Sequence, residues 1–136
     1  MNKMLAMLLI LVSVPSFAKE LQSFSDIYNS VSSGKNIKLV INFDACDPKP
    51  PVGNILVYTK PTAVMLRQNY LQFSNSPITT NNPAYPEKPI LENVTYRLTN
   101  DDKLHVVVKL ITLPDYIVAS QSSSVCLLNT AIKVYN

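Results

Sequence analysis

The feature that most constrains the fold is a pair of alternating segments in the second half of the chain. Residues 90–98 read "ILENVTYRL" and residues 104–113 read "LHVVVKLITL", with the polar sequence "TNDDK" between them. In both segments apolar side chains recur at every second position, which is typical of a β-strand with one buried face. Two such strands joined by a short polar segment pair as a hairpin. The chain is therefore predicted to contain an antiparallel sheet.

The register of this hairpin follows because paired strands must keep their apolar faces on the same side. A three-residue turn over residues 100–102 pairs Leu98 with Leu104, whereas a two-residue turn sets Leu98 against His105 and mixes the faces. The three-residue turn is therefore predicted. Its register pairs Tyr96 with Val106 and Val94 with Val108 on the apolar face, and Arg97 with His105 and Asn93 with Lys109 on the opposite face.

Apolar residues recur with the period of a helix in "SFSDIYNSVSS", residues 23–33. Ser23 suits the N-cap position and forms a capping-box pattern with Asp26. Gly34 suits the left-handed position that follows the last turn of a helix. One short N-terminal helix is predicted here.

Further alternating segments, at residues 36–43, 54–59, 63–74 and 122–136, predict additional strands, the third of them as a hairpin turning at residues 67–69. Residues 75–89 contain four prolines and three asparagines and are predicted to form a long surface loop without strand pairing. The predicted fold class is α+β, with one short N-terminal helix and a mainly antiparallel, meandering sheet of six to seven strands. Closure of this sheet into a partial barrel is left open.

The N-terminal sequence has the order of parts of a secretory signal peptide. Lys3 precedes an apolar run over residues 4–14, and a small-residue triplet ends at Ala18. The run is shorter than the roughly 20 apolar residues that span a bilayer, so no stable membrane anchor is expected. Residues 1–18 are predicted to be a signal peptide and residues 19–136 a single α+β domain, located in the periplasm or secreted.

The predicted location indicates the redox state of the cysteines. Cys46 and Cys126 are the two cysteines of the chain. Because thiols are oxidised in exported proteins, one disulfide between Cys46 and Cys126 is predicted. On the chain-entropy model, closure of a loop of about 80 residues stabilises the fold by about 4 to 5 kcal/mol.

Few residues of the chain suit catalysis. His105 is the only histidine, and the hairpin register places it in mid-strand beside Arg97, without a carboxylate to orient it. Two cysteines and one histidine are too few ligands for a zinc or iron site. We therefore assign no catalytic residue, no metal ligand and no cofactor.

The acidic residues form no recognisable catalytic pair. Glu92 shares the apolar face of the predicted hairpin, where exposure at the end of the sheet is favoured over pairing with a buried partner. The others are expected in turns and loops. The acidic residues considered are Asp44, Asp47, Glu87, Glu92, Asp101, Asp102 and Asp115.

Charge and composition bear on the kind of partner. Of twelve lysine and arginine residues, Lys3 lies in the predicted signal peptide, which leaves eleven against nine acidic residues in residues 19–136. No block of like charge stands out, so neither nucleic acid nor an anionic membrane is expected as the main partner. A protein partner is expected instead. Aromatic residues on loops often anchor such partners, and Tyr85, flanked by Pro83 and Pro86, is the predicted contact surface.

The order of several short motifs resembles the VirK family of small exported bacterial proteins. These are an N-terminal helix ending in "SGK", a strand closing on the cysteine of "INFDAC", the sequences "LQFSNSPITT" and "KPILENVTYRLTNDDKLHVVV", and a late cysteine in "SVCLL". The resemblance spans nearly the whole of residues 19–136. It implies a periplasmic or secreted protein of virulence or host-associated settings, with no established enzymatic activity.

These observations favour an exported, non-enzymatic binding or accessory protein stabilised by one disulfide. Two alternatives stay open. A small periplasmic hydrolase would use His105 or scattered acidic residues. A carrier of a lipid or metabolite would bind its ligand against the apolar face of a curved sheet.

Overall fold

The computed structural model describes residues 18–50 and 53–136, which leaves the predicted signal peptide outside the described residues except for Ala18. The described residues are mostly β, with one short α-helix. In chain order the elements are β1 Glu20–Leu21, α1 Phe24–Ser32, β2 Lys38–Asn42, a 3₁₀ turn Phe43–Ala45, β3 Leu56–Thr59, β4 Met65–Arg67, β5 Tyr70–Asn75, β6 Ile78–Thr79, β7 Ile90–Thr99, β8 Lys103–Thr112, β9 Ile117–Leu127 and β10 Ile132–Tyr135.

The strands form two antiparallel sheets. Sheet A has the order β1-β10-β2-β3, and sheet B has the order β4-β5-β7-β8-β9 with β6 paired to β7. The prediction of one meandering sheet of six to seven strands is therefore wrong, and the described strands do not close into a barrel. The meander is interrupted twice: β3 forms no ladder with β4, and β10 pairs with β1 and β2 instead of with β9. Local alternation carries no information on such a long-range pairing.

The predicted helix and its ends are confirmed. Ser23 is the N-cap residue, and its Oγ accepts a hydrogen bond from the Asp26 N–H at 3.2 Å. At the other end, Gly34 has a φ of 82°, and its N–H donates to the Val31 carbonyl at 2.9 Å. This is the left-handed termination for which glycine is favoured.

The hairpin register is also confirmed. Leu98 pairs with Leu104 and Tyr96 pairs with Val106, on either side of a turn at residues 100–102. Within that turn, Asp102 has a φ of 60°, and its Oδ1 accepts a hydrogen bond from the Phe24 N–H at 2.7 Å. The turn of sheet B therefore caps the start of α1, which holds the helix against the end of the hairpin.

The core lies between α1 and the facing sides of the two sheets. It is built by the alternate residues of each strand, as the sequence pattern predicts. The most deeply buried side chains are Ile27, Leu39, Ile41, Leu71, Ile90, Leu98, Leu104, Val106, Cys126, Ile132 and Val134.

The predicted disulfide is present between Cys46 and Cys126, and both residues are buried. Cys46 follows β2 of sheet A and Cys126 lies in β9 of sheet B. Beside them, Asp47 and Val125 exchange two backbone hydrogen bonds, at 2.9 and 2.7 Å. The covalent bond and this isolated bridge therefore join one sheet to the other.

The segment over residues 75–89 differs from its prediction. Strand β5 extends to Asn75, and β6 pairs Ile78 with Leu91 and Thr79 with Ile90. Pro77 does not prevent this pairing because it takes part only through its carbonyl, which accepts a hydrogen bond from the Glu92 N–H at 2.9 Å. The expectation of no strand pairing is wrong for Asn75, Ile78 and Thr79, while the rest of the segment has no strand.

The disulfide generates the first prediction. Replacing both cysteines by alanine is expected to lower the free energy of unfolding by about 4 kcal/mol, because the unfolded chain then regains the entropy of an open 80-residue loop. Urea unfolding of the two proteins, with and without reductant, measures the change. Reductant should affect only the wild type. Equal unfolding free energies for the oxidised wild type and the cysteine-free variant would contradict the prediction.

Tyr96 stacks on Phe73 in the core, with ring centroids 4.7 Å apart. The residue is 3% exposed, and burial raises the pKa of its phenol from 10.0 to about 12. The native chain therefore keeps this proton over a pH range in which the unfolded chain loses it. The corresponding stability is fully present below pH 10 and is lost as the pH rises to about 12.

The second prediction tests this linkage. Tyr96→Phe keeps the stacked ring but has no proton to lose, so its free energy of unfolding is expected to fall less than that of the wild type between pH 10 and 12, by about 2 kcal/mol. Urea unfolding at a series of alkaline pH values measures both proteins. Parallel pH profiles would show that Tyr96 does not titrate differently in the two states.

Candidate functional site

One end of sheet B exposes a group of large apolar side chains. Ile78 is 65% exposed, Tyr116 70%, Ile117 61% and Val118 51%. These four residues, called the apolar end below, come from β6, from the turn before β9 and from β9 itself. Clustered apolar exposure of this kind marks interaction surfaces more often than scattered single residues do.

The register of sheet B explains how the apolar end is assembled. Ile78 pairs with Leu91, Leu91 pairs with Ile111, and Ile111 pairs with Val118. Ile78, Leu91, Ile111 and Val118 form one row across β6, β7, β8 and β9, whereas Ile117 pairs with Thr112 and lies on the other face of β9. Residues in such a row share one face of the sheet, and neighbours are about 5 Å apart. The row lies on the face opposite the core.

The strands of the β7–β8 hairpin are longer than those of sheet A. Strands β7 and β8 have 10 residues each, whereas β2 has 5 and β3 and β10 have 4. Val94 and Val108 are only partly buried against the core. The hairpin therefore extends past the main core cluster, although Ile90 at its far end is fully buried.

The predicted contact surface lies in the segment that connects β6 to β7 at this same end of sheet B. Pro83 and Pro86 are exposed, as expected of a contact surface, whereas Tyr85 is half-buried. The Tyr85 N–H donates to the Asn82 carbonyl at 2.9 Å, and the Asn82 Nδ2 donates to the Glu92 Oε1 at 2.8 Å. The segment is thus tied to β7 by a side-chain hydrogen bond.

Glu92 is neither fully exposed at the end of the sheet nor paired with a buried charge. It is half-buried near the end of the hairpin, and its carboxylate accepts the hydrogen bond from Asn82. Its partner is an amide of the connecting segment and not a second charge. The site therefore includes no paired carboxylates at Glu92.

Sequence reasoning missed the contribution of Tyr116, Ile117 and Val118. The sequence pattern predicts no strand over residues 114–121, because the alternation that marks the other strands is broken there. The structure shows the reason: the pairing of β8 with β9 shifts between Leu110 and Ile111, so one extra residue enters β9. The apolar triplet itself was the available signal.

His105 is exposed and pairs with Arg97, as predicted. No described carboxylate forms a hydrogen bond or an ion pair with it. In the ranges 18–50 and 53–136, no three His, Cys, Asp or Glu side chains are placed to hold a metal ion. The arrangement around His105 therefore offers neither an oriented base nor a metal ligand set.

The turn beside His105 contains one perturbed acid. Hydrogen bonds from Lys103 and then Thr99 hold the pKa of Asp101 at about 2, below its usual 3.8. Lys103 Nζ lies 2.8 Å from Asp101 Oδ2 in a solvent-exposed ion pair. This carboxylate stays ionised at physiological pH and does not suit a general acid.

Two small, open depressions occur on the described surface. Two depressions have volumes of about 240 and 160 Å³, the larger lined mainly by polar residues of α1 and the chain ends and the smaller by residues near the end of α1 and after β3. Sites for small organic ligands usually enclose about 300 to 1,000 Å³. Neither depression adjoins the apolar end or His105. In the described part of the chain, no helix has the length and apolar character needed to span a membrane.

Two comparisons find known proteins that are similar to this chain. A family model described as VirK protein matches residues 20–116. The chain is also similar to a solved structure, the crystal structure of lpg1832, a VirK family protein from Legionella pneumophila, with a TM-score of 0.81. The two sequences are 23% identical, and the alignment covers 86% of this chain and 98% of that chain. At this identity the likeness shows a shared fold alone. A search of curated proteins finds no match.

The family match spans well over half of the chain. It includes α1, Cys46 and the β7–β8 hairpin, on which the sequence resemblance rests. We conclude that the chain belongs to the VirK family.

Proposed function

We propose that this chain is an exported, non-enzymatic protein that acts by binding another protein through the apolar end and the adjoining segment over residues 83–86. The observation that carries the proposal is the exposure of Ile78, Tyr116, Ile117 and Val118, each above half, at one end of sheet B. Half of the eight most exposed large apolar side chains in the described residues lie there. An apolar centre with polar surroundings is the usual composition of a protein-binding surface.

The neighbouring segment supports the same surface. Pro83 and Pro86 have little conformational freedom to lose on binding, and the hydrogen bond from Asn82 to Glu92 holds the segment in place. Preorganisation of this kind lowers the entropic cost of association. Tyr85 contributes the exposed part of its ring.

Export is part of the proposal and rests on the signal-peptide pattern of residues 1–18 together with the disulfide. Disulfides persist in oxidising compartments, so the bond between Cys46 and Cys126 is consistent with the periplasm or the cell exterior. The association with virulence or host settings rests on the family resemblance alone.

The two alternative functions have less support. A hydrolase based on His105 lacks an orienting carboxylate among the described groups around that residue. A carrier of a lipid or metabolite needs an enclosing cavity, and the two described depressions are small and open.

The third prediction concerns the apolar end. The triple variant Ile78→Ser, Ile117→Ser, Val118→Ser is expected to weaken partner retention by about tenfold or more, because central apolar side chains dominate binding energy. The immobilised domain, residues 19–136, would be exposed to the periplasmic extract of the organism that produces it. Retained proteins would be identified and quantified for the wild type and the variant.

A matched control removes equally exposed apolar groups elsewhere. Leu56 and Tyr58 are 69% and 64% exposed on the outer face of sheet A, so Leu56→Ser, Tyr58→Ser is expected to retain the partner at the wild-type level. Replacing residues 83–86 by glycine and serine tests the adjoining segment separately. Equal losses in the triple variant and the control would contradict the assigned surface, and so would the absence of any protein retained by the wild type.

The fourth prediction concerns export. When the full chain is produced in a bacterium, the periplasmic product is expected to begin at Lys19 and to gain the mass of two hydrogens on reduction. N-terminal sequencing and intact mass in denaturant measure both features. A chain that retains residues 1–18 in the cytoplasmic fraction would contradict export.

A further inference from the structure

The outer face of sheet B, on the side away from the core, collects basic side chains from three strands. Arg97 pairs with His105, and Lys103 and Lys109 lie on the same face of β8 at alternate positions. Arg67 of β4 pairs with Tyr70, which pairs in turn with Thr99 of β7 on this face. These residues, Arg67, Arg97, Lys103, His105 and Lys109, are called the basic face below.

Acidic residues are nearly absent from this surface. Within the described strands of sheet B, Glu92 is the single acidic residue, and it lies on the opposite face with Ile90 and Val94. Asp101, in the turn, is paired with Lys103. Arg67, Arg97 and Lys109 therefore have no acidic neighbour on the strands, and the face suits an anionic ligand.

Arg97 is held in a defined orientation. Its Nε donates to the Gln72 Oε1 at 3.0 Å, and its Cζ lies 4.8 Å from the centre of the Tyr70 ring. None of the described residues accepts a hydrogen bond from its two Nη atoms. The guanidinium is thus fixed on one side and free on the other, where it can donate two parallel hydrogen bonds to a sulfate, phosphate or carboxylate group.

Most side chains on the surface between the cations are polar and uncharged. One row across the sheet contains Ser74, Thr95 and Ser123, with the half-buried Val107 between Thr95 and Ser123, and the next contains Asn93 and Gln121 on either side of Lys109. Hydroxyl and amide groups both donate and accept hydrogen bonds, as sugar hydroxyls do. The outer face thus alternates groups that suit anions with groups that suit sugars.

We propose that the basic face binds an acidic glycan, a polysaccharide with sulfate or phosphate groups. Arg97 binds one anionic group through its free Nη atoms, while Arg67 and Lys109 on the same face bind neighbouring groups of the same chain. Lys109 is four residues from His105, or about 13 Å along β8, so the surface spans several sugar units. Arg97 lies six residues from Leu91, about 20 Å from the row of the apolar end, so this site goes beyond the proposed protein-binding function.

Two other polyanions fit the surface less well. Single-stranded nucleic acid binds through bases stacked on aromatic rings, but the Tyr70 ring is occupied by Arg97. An anionic membrane surface favours a central apolar or aromatic anchor, and the exposed apolar residues nearest the cations, Met65 and Leu127, lie on strands at the two edges of sheet B.

The fifth prediction tests the glycan with heparin, a sulfated polysaccharide. Arg97→Gln is expected to weaken the binding of the domain to heparin by about tenfold, because a two-point charge-assisted contact is lost. Arg97→Lys keeps the charge but loses the planar fork, and an intermediate affinity is expected. Titration calorimetry at low salt measures the affinities, and amide shifts of β5, β7 and β8 in NMR spectra locate the site.

Lys133→Gln is the matched control, because Lys133 is an exposed lysine on the outer face of sheet A. Its affinity for heparin is expected to stay within about twofold of the wild type, as for a distant surface charge. An equal loss for Arg97→Gln and Lys133→Gln would overturn the site, since the binding would then follow net charge alone. Equal or tighter binding of single-stranded DNA, or binding to phosphatidylglycerol vesicles without binding to heparin, would overturn the glycan as ligand.

Discussion

The disulfide between Cys46 and Cys126 is the constraint on which the rest of the structure depends. It is buried, and it connects the end of β2 in sheet A to β9 in sheet B. The bridge between Asp47 and Val125 adds two hydrogen bonds at the same point. Each sheet has one face against the core, and this connection holds the two core-facing sides together at one point.

Two surfaces of sheet B stay exposed to solvent in this arrangement. The far end of the longer hairpin extends past the main core cluster, and the apolar end is exposed there. The outer face of sheet B is likewise uncovered, and there Arg97 is oriented by Tyr70 and Gln72. One surface is apolar and the other basic and polar, which is why they are assigned to partners of different chemistry.

Several features could be predicted from the sequence because they depend on neighbours along the chain. The pairing of Leu98 with Leu104 follows from alternation and turn length, and the ends of α1 follow from Ser23 and Gly34. The disulfide follows from counting cysteines in a chain with a signal-peptide pattern. Prediction failed at Ile78 and Thr79, where a short pairing survives beside prolines, and around Ala119, where a bulge breaks the alternation.

The sequence by itself determined the local elements, the hairpin register, the cysteine pair and the VirK family. These depend on short-range periodicity, turn chemistry and motif order. Only the tertiary structure decided that β1 pairs with β10 and that the strands separate into two sheets. It also decided that Arg67 of β4 joins Arg97 and Lys109 of the hairpin on one face, although no block of like charge exists in the chain. The physical reason is that strand pairing joins residues far apart in sequence, and no local pattern records which strands become neighbours.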